Sequence, residues 1–118
     1  GTTTAYSWGN TIASSNANWN HGADPNQTVD VGQFSANPWG FFDMHGNVWE
    51  WTADWYQAAY PTGNPVVDPS GPASGSRRVG RGGSWHADGS ALRSAQRSHL
   101  PPSYRINYIG FRVGFQKQ

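Results

Sequence analysis

Two carboxylates seven positions apart, Asp43 and Glu50, bracket the run Asp43-Met44-His45-Gly46-Asn47-Val48-Trp49-Glu50. Gly46 and Asn47 are turn formers, and a turn between the two acids can point both carboxylates and the intervening carbonyl oxygens inward. Calcium takes about six to eight hard oxygens of this kind, so the segment is a candidate cation loop, although it does not follow the EF-hand pattern. The same spacing equally suits Glu50 paired with an arginine and Asp43 capping the turn. Four histidines, His21, His45, His86 and His99, are the other candidate ligands or bases. None has the i, i+4 or short-gap spacing that brings two imidazoles to one metal, so they read as surface or polar-network residues. Isolated Ser, His and Asp residues make no case for a hydrolytic triad, and Gly82-Gly83 does not continue into a phosphate-binding pattern. The chain has no cysteine, which removes disulfides, thiolate metal sites and a thiol nucleophile together.

The rest of the chain must position these groups with little regular structure. Its 118 residues carry 8 Lys+Arg against 7 Asp+Glu, a formal charge of +1, which leaves no basic footprint for nucleic acid or an anionic membrane. No apolar run approaches the roughly 18 residues of a spanning helix. The length suits one domain at most. Its apolar mass lies in 7 Trp, 5 Tyr and 5 Phe, and 15 Gly with 8 Pro favour loops over a helical bundle.

Thr28 to Phe34 alternates as a short strand with Val29 and Val31 on one face, and a second strand starts at Val48. Residues 57–76, rich in proline, read as a long surface loop. Residues 77–86 read as a strand with a bulge or a close backbone approach at Gly82-Gly83. Ser90 to Gln96 suits a helical turn or a strand, Leu100 to Ser103 a turn, and Tyr108 to Phe115 a closing strand. Trp49, Trp51, Trp85 and Phe111 are assigned to the core, and Arg112 is expected to pair with Glu50 or Asp54.

Four segments in order, GNVWEWTADWY, RVGRGGSW, LRSAQR and YIGFRVGF, make the stretch from Ala5 to Phe115 resemble the C-terminal part of the formylglycine-generating enzyme family, also called sulfatase-modifying factor domains. The resemblance implies an α+β, loop-rich, C-type-lectin-like fold of low regular secondary structure. Residues 1–118 would then be a single domain, the C-terminal portion of a formylglycine-generating enzyme-like domain. The N-terminal half would come from a companion chain, or the chain is a truncation. It further implies calcium held by the side chains of Asp43 and Glu50 and the carbonyls of Gly46 and Val48. A second calcium site would begin at Asn18 and Trp19, with Asp24 as a candidate acidic ligand.

Catalytic relatives use two cysteines that bind Cu(I), placed between the GGS motif and the following arginine. The corresponding stretch here, Gly82 to Arg97, is shorter and holds none, so cysteine-dependent formylglycine generation by these residues is excluded. Three readings stay open. The domain is a noncatalytic binding or scaffold module, taking a glycan or peptide on the surface that includes His86, Asp88, Arg93, Arg97 and Tyr104. Alternatively it is an oxidoreductase of non-cysteine chemistry built on His86, Asp88, Arg93 and Arg97, or one chain of a two-chain protein.

Overall fold

The computed structural model describes residues 2–22, 27–60, 62, 69 and 71–114. Asp24 and Phe115 lie outside the described residues, as does much of the proline-rich stretch. Regular structure among them is sparse: β1 (Trp49–Trp55), β2 (Arg78–Arg81), a 3-10 turn (Gly89–Leu92), β3 (Ser98–Leu100) and β4 (Ile109–Gly110). The strands form one sheet in the order β3-β2-β1-β4. β1 pairs antiparallel with β2 through Glu50↔Arg81 and Trp51↔Gly80, and its register shifts before Trp55↔Arg78. β2 pairs antiparallel with β3, and β4 runs parallel to β1 through Trp49↔Ile109 and Glu50↔Gly110. The Trp49 ring lies over β2 at Gly80, where even a Cβ would make only ordinary contact, 3.8 Å from Trp49 Cε3.

The strand from Val48 and the 77–86 strand form close to the expected places, and Gly82-Gly83 is a close approach. Both glycines have positive φ, and a Cβ on Gly83 would stand 2.6 Å from Leu92 Cδ1. The 90–96 segment resolves as helical turn over its first residues. Three expectations need correction. Thr28 to Phe34 is not a strand: the Asn47 side chain takes the Val29 backbone, accepting from its N–H at 3.0 Å and donating to its carbonyl at 3.2 Å, and the chain turns at Val31-Gly32. Val31, expected to share a strand face with Val29, is 82% exposed.

The closing strand is two residues long, and Phe111 is 77% exposed rather than core. Beyond Gly110 the chain is held to its neighbours by the Arg112 side chain instead of a backbone ladder. Leu100 ends β3, and the turn begins one residue later, with the Tyr104 N–H donating to the Pro101 carbonyl at 3.0 Å. Trp49 and Trp85 are buried as expected and Trp51 is half-buried. A second core, of Tyr6, Ala17 and Leu92, lies off the sheet with Ile12, Trp19 and Ala87 packed around it.

Candidate functional site

The Asp43–Glu50 segment is a tight loop whose backbone leaves the usual regions three times, at Asp43 (φ 54), Gly46 (φ 83) and Asn47 (φ 63). Aspartate and asparagine are the side chains that tolerate this best. Asn47 is the loop's anchor. Its N–H donates to the Asn18 carbonyl at 2.8 Å, its own carbonyl accepts from Trp85 N–H at 2.8 Å, and its amide oxygen also accepts from Asn18 Nδ2 at 3.3 Å. Asp43 Oδ2 accepts from Gly32 N–H at 2.6 Å. Glu50, which leaves the loop along β1, carries Arg112 as a two-pronged partner: Nε donates to Oε2 at 2.9 Å and Nη2 to Oε1 at 2.7 Å. These hydrogen bonds hold the Arg112 guanidinium above its ordinary pKa, partial burial opposes them, and the charges of Glu50 and Asp43 add to the rise.

Asp43, Gly46, Val48 and Glu50, the set expected to hold calcium, line one cavity of about 400 Å³ together with Arg112. The donor set fits a hard cation, since two carboxylates and two backbone carbonyls offer oxygen only. The loop is closely packed at Gly46, where a Cβ would meet the Asn18 carbonyl oxygen at 2.4 Å. Among the described residues, no three His, Cys, Asp or Glu side chains gather at one point, so backbone oxygens would have to complete any coordination shell. Asn18, expected to open the second calcium site, is buried behind this loop with Nδ2 donating to the Gln27 carbonyl at 2.9 Å. Trp19 packs on the second core and its Nε1 donates to the Ala13 carbonyl at 3.3 Å.

His45 is buried inside the same loop and was legible from spacing only as a polar-network residue. The Leu92 carbonyl, 2.6 Å away, can only accept, so Nδ1 carries the proton; the Ser7 N–H, 3.2 Å away, can only donate, so Nε2 is bare. The ring is therefore neutral, flanked by Trp8 at 4.7 Å and Tyr6 at 5.8 Å. Burial lowers its pKa below the ordinary value of 6.5, and the bond to Leu92 opposes that shift. The unfolded chain therefore binds this proton more readily than the folded one. The contribution is fully present above the unfolded pKa and is lost as the pH falls below it through the folded pKa. Urea unfolding should give a lower midpoint at pH 5.5 than at pH 7.5, values that straddle the unperturbed imidazole pKa of about 6.5. His45→Gln should flatten that difference; an equal difference in the variant would assign it to another histidine.

The residues expected to face a ligand do not converge. Exposed His86 stacks on Tyr108 with ring centroids 5.4 Å apart, and exposed Asp88 precedes the 3-10 turn. Arg93 donates to the Ser90 carbonyl at 2.9 Å and to Gln96 Oε1 at 3.2 Å. Arg97 lies against the rings of Tyr60 (4.1 Å) and Tyr56 (5.2 Å) and donates to the carbonyls of Gln57 and Ala58. Of these five, Tyr104 lines an open groove of about 620 Å³ with Trp51, Arg78, Arg105, Ile106 and Phe111 on its walls. The lining from Arg78 and Arg105 was not anticipated. Only its place beside Tyr104, in the loop after β3, hinted at Arg105.

A family model described as "Sulfatase-modifying factor enzyme 1-like domain" matches residues 1–116. The chain belongs to this family. The formylglycine-generating enzyme of Streptomyces coelicolor is 40% identical over 88 residues, which cover 72% of this chain and 28% of that enzyme. Among solved structures, Treponema denticola variable protein 1 superposes with a TM-score of 0.74 at 33% identity, covering 82% of this chain and 34% of that one. PvdO from Pseudomonas aeruginosa gives 0.70 at 35% identity, over 82% of this chain and 38% of its own. The chain thus spans between 28% and 38% of the length of these relatives, and its sequence holds no cysteine.

Proposed function

We propose that this formylglycine-generating enzyme-like domain is a noncatalytic, C-type-lectin-like recognition module, stabilised by calcium in the Asp43–Glu50 loop. The observation that carries the reading is the open groove of about 620 Å³ beside the sheet, walled by Trp51, Tyr104, Ile106 and Phe111 with two guanidinium groups, Arg78 and Arg105. Aromatic faces with a few polar anchors suit a glycan ring or an extended peptide, whereas redox chemistry of the family type needs thiolates that the chain lacks. Calcium would be held by the carboxylates of Asp43 and Glu50 and the carbonyls of Gly46 and Val48, and would supply charge to fix the loop. The oxidoreductase alternative finds less support, since among the described residues Arg97 lines a cavity of about 240 Å³ that His86, Asp88 and Arg93 do not share.

A second reading, in which the chain is one part of a larger domain, is favoured by an exposed apolar set: Val31, Trp39, Phe41, Phe42, Phe111 and Val113. A companion polypeptide would cover it. One experiment separates the two. The purified chain is screened against arrayed glycans and a displayed peptide library, and the best hit is titrated against Tyr104→Ala. Recognition in the groove predicts a loss on the order of tenfold or more, as for a central aromatic anchor, with an unchanged melting temperature. Undiminished binding by Tyr104→Ala would remove the groove from the proposal, and silence on both arrays would favour the companion reading.

A further inference from the structure

A cation already sits on the carboxylate that calcium would need. Arg112 engages both oxygens of Glu50, and its Nη2 also donates to the Asp43 carbonyl oxygen at 3.1 Å, so one guanidinium spans the two ends of the loop. A divalent cation held by the Asp43 and Glu50 carboxylates would need Glu50 from the same cavity, while Arg112 meets Asp43 at its main chain and not at its carboxylate. We propose that Arg112 is a tethered counter-cation of the Asp43–Glu50 loop, and that a divalent cation binds there in competition with it. The inference rests on the calcium reading of the loop given above.

Two features make the arginine displaceable. The ion pair is partly exposed, with side-chain accessibilities of 38% for Arg112 and 22% for Glu50, so that water competes for it and, though two-pronged, it holds less firmly than a buried pair. Residues 111–114 lie outside the sheet ladder, so the arm that carries Arg112 can move without breaking strand pairing. A divalent ion between two carboxylates interacts more strongly than a single delocalised charge, while a guanidinium left beside it is repelled. Cation binding would therefore release the arm from the loop. In the absence of the ion, the loop's negative charge remains paired, which lets this strained turn persist without metal.

The test is calorimetric titration of calcium chloride into metal-stripped wild type, Arg112→Gln and Glu50→Gln. Competition predicts that Arg112→Gln binds calcium roughly tenfold more tightly than wild type, as one surface ion pair and one like charge are removed, and that Glu50→Gln binds more weakly than either. Equal or weaker binding by Arg112→Gln overturns the proposal; weaker binding would mean that the arginine positions Glu50 for the ion. If both proteins bind equally, the calcium loop stands and only the role of Arg112 falls. If neither binds, both fall. A measurement on the wild type guards against a variant that does not fold: the Arg112 Nε–H resonance should shift along the calcium titration, and saturation of the loop with that resonance unmoved would also overturn the competition.

Discussion

Leu92→Ala lowers stability by about 4 kcal/mol, in the upper part of the range for leucine truncations, and the melting temperature by more than about 10 °C. Leu92 is fully buried at 0% exposure and is the largest fully buried side chain among the described residues, in the off-sheet core that also contains Tyr6 and Ala17. The cost of such a truncation depends on whether neighbours can move into the void. Here they cannot do so readily, because two walls are glycines. Gly83 would place a Cβ 2.6 Å from Leu92 Cδ1, and Gly46 would place one 3.1 Å from Cδ2, so both sit against the leucine as bare backbone. That backbone is pinned in turn, by the Gly46 N–H donating to the Gly82 carbonyl at 2.8 Å. Denaturant unfolding checks the number. A loss below about 1.5 kcal/mol would mean that the site collapses around alanine. Leu92→Met, which keeps the volume, should cost under about 1.5 kcal/mol.

What the sequence makes legible here follows the range of each interaction. β1 and β2 are readable because alternation and glycine placement are local properties of a strand. The Glu50–Arg112 pair, 62 residues apart, was also readable, because charged groups are few and a carboxylate leading into an apolar strand needs a cation. Thr28 to Phe34 has the pattern of a strand, yet its pairing groups at Val29 are taken by an asparagine side chain 18 residues further on. Periodicity carries no information about that contact. Phe111 fails differently: alternation tells which residues share a face, but not whether anything meets that face. β3 is three residues long beside Pro101-Pro102, and the turn signal of the prolines masks it. At the candidate site, the four calcium-type positions do line one cavity, since they are close in sequence. The five residues expected to face a ligand come from two loops, and their side chains are dispersed by partners such as Tyr108 for His86 and Tyr60 for Arg97.

Gly46→Ala should cost about 3 kcal/mol, roughly 10 °C in melting temperature, and should do so whether or not calcium is present. Two penalties add. The backbone at Gly46 has φ 83, where a Cβ costs on the order of 1–2 kcal/mol. The added Cβ would also lie 2.4 Å from the Asn18 carbonyl oxygen and 3.1 Å from its carbon, so backbone must move. It is not free to move, because that carbonyl accepts the Asn47 N–H at 2.8 Å and the Asn18 amide holds the Gln27 carbonyl at 2.9 Å. Shifting Asn18 therefore breaks the contact that closes the Asp43–Glu50 loop. Gly40→Ala is the internal control: φ there is 82, nearly the same, and nothing lies within 4 Å of a Cβ. It should cost only the conformational part, about 1 kcal/mol. The difference between the two variants isolates the close approach of residue 46 to Asn18, and equal losses would show that backbone conformation alone requires glycine in the loop.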